Sequence, residues 1–280
     1  MPTPFQHLVY AERVVCHPAL PEPVRAVLRR EPGAYLLGST AGDVQTVSGQ
    51  SRPETHFHRI SDGPAVPATY PQLADPYSLA EPQAAFVSGY LTHLVWDELW
   101  AWEIFVPFYR DNAARWPDRR AYSLNHNALR VLLDRTATAA LRHGPALLAL
   151  LEEVTVDAWL PFVPVWALKR WRDWLVGQLS NPDAIETAQV FADRMHLPVD
   201  ELERAVEMLA GDPDAHVSGL TAALARYEAA ALRGSLTAVA GYWQLSEGSA
   251  CEGECKVPDP EVMALGTPDL ATSCLAMRGV

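Results

Sequence analysis

The segment that decides the fold reads Gly89-Tyr90-Leu91-Thr92-His93-Leu94-Val95-Trp96-Asp97-Glu98. It is apolar enough to form a buried helix, yet it holds His93 and Asp97 four residues apart. In an α-helix, residues at that spacing lie on one face with Cβ atoms roughly 5–6 Å apart. A buried carboxylate needs a cation or a proton, because an unpaired charge is strongly disfavoured there. The spacing predicts half of a metal site, and it leaves a hydrogen-bonded structural pair as the alternative.

The N-terminal half contains three further candidate ligands, each in a segment that could bring its side chain to a buried metal. His7 lies in the apolar run of residues 5–11, and Asp43 follows a loop of small residues that lets backbone approach a ligand closely. His56 lies in a polar segment, where His58 is the alternative ligand. Imidazole and carboxylate together favour zinc over iron or manganese. The predicted metal ligands are His7, Asp43, His56, His93 and Asp97.

These residues occur in a distinctive order: an early His, a Gly-Asp pair, a His-Phe pair and a Gly-Tyr-Leu-x-His-x-x-x-Asp helix. The order resembles bacterial zinc-dependent phospholipase C and its relatives, which include single-strand nucleases, over about residues 4–110. The resemblance implies that all five residues are zinc ligands and that Asp97 bridges two ions. It also implies that Asp43 acts as a general base.

The chain departs from that family in ways that limit the metal content. Secreted members use a new N-terminal amine as a zinc ligand, and we expect this ligand to be missing here. The family also has a His soon after the bridging Asp and then a His-x-x-x-Glu helix, neither of which follows Asp97. His126 is a candidate extra ligand but lacks the Glu. We therefore expect one or two zinc ions per chain.

Composition and charge restrict the substrate and the compartment. The net charge of −12 disfavours nucleic acid, because phosphate backbones attract basic surfaces. No stretch approaches the roughly 18 apolar residues of a membrane span, and no signal peptide is recognised, so the cytoplasm is expected. A phosphoester or phospholipid substrate is the corresponding prediction, and the oligomeric state stays open.

The hydrophobic spacing predicts an all-α, multi-helix bundle of the phospholipase C/nuclease type with long N-terminal loops. Within a domain over residues 1–246, we expect a ligand-bearing part (1–110) and a helical C-terminal part (111–246). A Pro/Gly-rich excursion is predicted over 33–80 and a single long helix over 82–109, bent before Pro107. Residues 247–280, with their cysteines, are expected to form a flexible tail.

Two functional hypotheses follow. In the first, the protein is a zinc-dependent phosphoester hydrolase of the phospholipase C type, in which Asp43 orients or deprotonates the attacking water and Asp97 holds the ions. In the second, it is a non-catalytic helical binding protein with a structural or vestigial metal site.

Overall fold

The computed structural model describes residues 1–57, 69–141, 145–181 and 187–244. These residues form helices and connecting turns, and no β-strand occurs among them, which confirms the predicted all-α class. None of the helices in these ranges is both long and apolar enough to cross a lipid bilayer. The expected tail over 247–280 and the alternative ligand His58 lie outside the described residues.

The helices follow one another with short connections. In chain order they are α1 (Pro4–Cys16), α2 (Glu22–Arg30), α3 (Pro32–Thr40), α4 (Gln45–Ser48), α5 (Arg52–His56), α6 (Glu81–Trp100), α7 (Arg119–Leu141), α8 (Pro145–Glu153), α9 (Val165–Ser180), α10 (Thr187–Met195), α11 (Val199–Gly211), α12 (Pro213–His216) and α13 (Leu220–Gln244). A 3₁₀ turn over Ala41–Val44 joins α3 to α4. Further 3₁₀ turns lie at Pro71–Leu73, Pro76–Ser78 and Ala113–Arg115.

The long helix predicted over 82–109 exists, but its second half changes character. After Trp100, α6 continues as a π-helix over Ala101–Arg110, which contains Pro107. Proline has no N–H to donate and its ring crowds the preceding turn of an α-helix. Widened turns of this kind are usually found as local bulges within α-helices, often near functional sites.

The prediction of a loop-like excursion is wrong at its start, since residues 32–40 form the buried helix α3. Pro32 stands in the first turn of that helix, a position that proline favours. A Cβ at Gly38 would overlap the backbone of Phe86, and one at Gly89 would overlap the carbonyl of Tyr35. Both glycines thus allow α3 and α6 to pack backbone against backbone, which places the ligand-bearing end of α6 beside the Asp43 turn.

A buried carboxylate ties α1 to the C-terminal half. Asp134 on α7 is 1% exposed and accepts hydrogen bonds from the hydroxyls of Thr3, which caps α1, and Thr187, which begins α10, the latter at 2.6 Å. Burial raises the pKa of Asp134 to about 6, although the two threonine hydrogen bonds oppose the rise. The three helices therefore meet at a group that is costly to ionise.

This pKa predicts how stability depends on pH. Because the folded-state value lies above the ordinary 3.8, the folded protein loses stability as pH rises from about 4 to about 6, by about 3 kcal/mol at most. Asp134→Asn removes the charge and should abolish this loss, so the variant should gain roughly 1–2 kcal/mol over wild type at pH 8. Urea unfolding at pH 4 and pH 8 measures the difference. Identical pH dependence in both proteins would contradict the assignment.

Candidate metal centre

The two residues on α6 face the same buried space. His93 is fully buried and Asp97 nearly so, and His93 Nε2 lies 3.6 Å from Asp97 Oδ2. The i,i+4 spacing therefore brings an imidazole nitrogen and a carboxylate oxygen together, as predicted from the sequence.

The short helix α5 adds a third ligand atom to this pair. His56 Nε2 lies 3.1 Å from Asp97 Oδ2 and 3.1 Å from His93 Nε2. Ligand atoms held 2.0–2.1 Å from a tetrahedral zinc ion lie roughly 3.3 Å from one another. The three side chains thus match the spacing that one ion requires, and they form one of two buried His/Asp groups of metal-binding geometry in the described residues.

Helix α1 contributes His7 on the other side of the carboxylate. His7 Nε2 lies 3.3 Å from Asp97 Oδ1, and its ring stacks on His93 with centroids 3.9 Å apart. Both ring nitrogens of His7 and Asp97 Oδ1 are buried without a hydrogen-bond partner in the described residues. Orphaned polar atoms are costly unless a ligand satisfies them. The two oxygens of Asp97 therefore face different histidines, an arrangement that suits a carboxylate shared between two ions.

Asp43 lies in the 3₁₀ turn, at the open side of the cluster. Its Oδ1 is 4.0 Å from His56 Nε2, and together with His7 and His93 it forms the second His/Asp group, whose ligand atoms lie within 4.8 Å of one another. The Asp43 side chain is 17% exposed, whereas that of Asp97 is 5% exposed. All five predicted ligands converge, and Asp43 is the one nearest to solvent.

Neighbouring groups hold two of the imidazoles in position. His93 Nδ1 donates a hydrogen bond to the carbonyl of Ser39 at 2.9 Å, which leaves the Nε2 lone pair directed at the cluster. His56 Nδ1 lies 2.9 Å from Thr55 Oγ1, and the Tyr90 hydroxyl donates to the Thr55 carbonyl. Such outer contacts set the tautomer and the ring orientation of metal-binding histidines.

Sequence reasoning missed Arg52, which lies at the same opening. Its guanidinium donates to Asp97 Oδ2 and lies 4.0 Å from Asp43 Oδ1. The side chain is 23% exposed, so it borders both the buried ligands and solvent. Arg52 precedes His56 by four residues on α5, and this i,i+4 spacing is the sequence feature that points to it.

The electrostatics favour neutral imidazole beside an ionised carboxylate. Burial, followed by the proximity of His7, lowers the pKa of His93 well below its ordinary value. Burial alone would raise the pKa of Asp97, but the positive charge of Arg52 and the hydrogen-bond donors around the carboxylate outweigh burial and hold the value well below the usual range. A neutral histidine and an anionic aspartate are the protonation states that bind a divalent metal.

Two other groups, one of them the predicted extra ligand, do not belong to the His/Asp groups found among the described residues. His126, the candidate extra ligand, is on α7 and its Nε2 accepts a hydrogen bond from Trp100 Nε1 at 3.1 Å. Burial, with contributions from the Met1 amino group and Arg130, lowers its pKa well below the ordinary value. Met1 also lies close, since its Sδ is 2.6 Å from Arg52 Nη2.

Comparison with known proteins gives no relative from which a role could be transferred: no protein family, curated protein or solved structure matches the chain significantly.

Proposed function

We propose that the protein is a zinc-dependent phosphoester hydrolase. The observation that carries this proposal is the convergence of three imidazoles and two carboxylates on one buried space, with the two oxygens of Asp97 facing different histidines. Nitrogen-rich ligand sets with carboxylates suit zinc, and a bridging carboxylate suits two ions. A zinc ion held there would act as a Lewis acid towards a phosphoryl oxygen and would make water more acidic.

The side chains of the cluster would have two different roles, metal binding and general-base catalysis. The side chains of His7, His56, His93 and Asp97 are buried and would hold the metal. Asp43 is the carboxylate that solvent and substrate reach first, so it is placed to orient the attacking water and accept its proton. The resemblance to zinc-dependent phospholipase C supports the same division, because it also assigns the base to the position of Asp43.

A non-catalytic protein with a structural metal is the second candidate. It is favoured by one observation: the side chains of His7, His56, His93 and Asp97 are each 5% exposed or less. Structural zinc sites are closed, whereas catalytic sites keep a coordination position open to water. Under this hypothesis metal loss unfolds the protein, and no phosphoester is hydrolysed.

Asp43→Asn separates the two candidates. Zinc-loaded protein is assayed with bis-p-nitrophenyl phosphate, p-nitrophenyl phosphate and phosphatidylcholine, and chelator-treated protein serves as the blank. We expect zinc-dependent turnover of at least one substrate, reduced about 10²- to 10⁴-fold in Asp43→Asn, as removal of a general base commonly does. The ion at His56, His93 and Asp97 should be retained, since that group does not include Asp43, and the zinc content of the variant is measured alongside its turnover.

The matched control is Asp111→Asn, which alters an exposed aspartate paired with Arg110 and should keep wild-type activity. Full zinc content with no turnover of any of these substrates would contradict the hydrolase and support the structural site.

A further inference from the structure

A second arginine, Arg130 on α7, is linked through Met1 to Arg52, which contacts the proposed metal centre. Its Nε donates to the carbonyl of Met1 at 2.5 Å, its Nη1 donates to Asn127 Oδ1 at 3.0 Å, and its guanidinium carbon lies 4.1 Å from the centre of the Phe191 ring. Within the described ranges, the contacts of this guanidinium are with a carbonyl, an amide and an aromatic ring, and none is an ion pair with a carboxylate. Arg130 is thus a partly buried cation that has no direct carboxylate partner among the described residues.

Met1 connects Arg130 to Arg52. The Met1 carbonyl accepts from Arg130, while Met1 Sδ lies 2.6 Å from Arg52 Nη2. Burial lowers the pKa of Arg130 to about 10, and the acidic groups that oppose this shift are Asp43 and Asp97. Arg52 therefore contacts both carboxylates directly, and Met1 holds Arg130 beside Arg52, where the charges of Asp43 and Asp97 also act on it.

Charge balance indicates what these arginines are suited to bind. Arg52 and Arg130 together offset the negative charges of Asp43 and Asp97, and histidines add no charge when they bind a metal, because they bind it in the neutral form. Each zinc ion would then bring an uncompensated double positive charge to the site. Guanidinium groups present planar forks of N–H donors that match phosphate oxygens. The expected ligand is consequently a phosphate with more than one negative charge.

We propose that Arg52 and Arg130 form an anion subsite that holds terminal phosphoryl oxygens, and that the preferred substrates are phosphomonoesters rather than phosphodiesters. A monoester dianion offers three terminal oxygens, enough for both the metal and the arginines, whereas a diester offers two. The substrate preference rests on the proposed function. The anion subsite itself requires only that Arg52 contact the cluster and that Arg130 lie beside Arg52.

Titration calorimetry with three small probes tests the proposal: inorganic phosphate, methyl phosphate and dimethyl phosphate. Wild type, Arg130→Gln and the control Arg135→Gln are compared, each with and without zinc; Arg135 lies on the same helix but is exposed and paired with Glu203. We expect wild type to bind methyl phosphate about tenfold or more tightly than dimethyl phosphate. Arg130→Gln should weaken binding of phosphate and methyl phosphate about tenfold, the effect of one charge-assisted hydrogen bond, and Arg135→Gln should not.

Unchanged phosphate affinity in a folded Arg130→Gln variant, or dimethyl phosphate binding as tightly as methyl phosphate, would overturn the proposal. Circular dichroism and zinc content verify the fold, and Arg52→Gln replaces Arg130→Gln if the latter does not fold. A different result would refute the proposed function, namely an absence of zinc-dependent turnover. Phosphate binding that depends on Arg130 without any turnover would leave the subsite intact while refuting the hydrolase.

Discussion

Replacing Asp97 by Ala is expected to remove bound zinc and all zinc-dependent phosphoesterase activity. Asp97 Oδ2 faces His56 and His93, while Oδ1 faces His7, so this one carboxylate contacts all three histidine ligands. Loss of an outer-shell partner already costs 10–100-fold in metal affinity, and the loss of a shared ligand should cost at least about 100-fold. The measurements are zinc content after dialysis and turnover of the substrate identified in the screen.

Asp111→Ala is the control for this variant, because Asp111 is an exposed aspartate outside the cluster. Circular dichroism and thermal unfolding establish that Asp97→Ala is folded before its zinc content is compared. A folded Asp97→Ala protein with wild-type zinc content would show that the metal is held elsewhere. Wild-type turnover in that variant would refute the hydrolase directly.

The second large effect is expected from Gly42→Ala, which adds a single methyl group. A Cβ at Gly42 would overlap the His93 imidazole at Nε2 and lie 3.1 Å from Cε1. Because His93 is also held by the Ser39 carbonyl, the ring has little freedom to retreat. The methyl group should displace the ligand nitrogen or occupy the space where the metal binds. We expect zinc affinity to fall at least about tenfold and stability to fall by about 1–3 kcal/mol, as overpacking commonly causes.

Gly177→Ala is the matched control for Gly42→Ala. Gly177 is exposed on α9, and a Cβ there would meet no atom within 4 Å. Alanine in a helix interior is favoured over glycine by roughly 0.5–1 kcal/mol, so this variant should be slightly more stable and bind zinc normally. If Gly42→Ala behaved like Gly177→Ala in both assays, the metal would not lie beside His93 Nε2.

Much of the site was predictable because its strongest feature is local. The i,i+4 spacing of His93 and Asp97 fixes their relative position as soon as the segment is helical. Assembly with His7, Asp43 and His56 is not local, since it depends on how α1, α5 and the 3₁₀ turn pack against α6. The order of these residues along the chain resembles that of the phospholipase C family and predicts their convergence, which the structure shows. Zinc as the metal and hydrolysis as the reaction are proposals.

Other features escaped prediction for identifiable physical reasons. Glycine and proline usually interrupt helices, so the sequence favours a loop over residues 33–40. In the structure, Pro32 begins α3 and Gly38 permits close packing. Arg52 and Arg130 are hard to predict as site residues because a long arginine side chain reaches far from its backbone. Their contacts with Asp97 and Met1 join residues distant in sequence, which local patterns do not encode. The i,i+4 spacing of Arg52 and His56 gives a local signal for Arg52 alone.

The metal-to-protein ratio of the wild-type chain tests the proposed metal centre most directly. Inductively coupled plasma mass spectrometry on untagged protein, purified without chelator and then dialysed, gives both the identity and the number of bound ions. Our account predicts about two zinc ions per chain, matching an Asp97 carboxylate whose oxygens face separate histidines. No bound zinc, and no uptake after zinc is added, would contradict it.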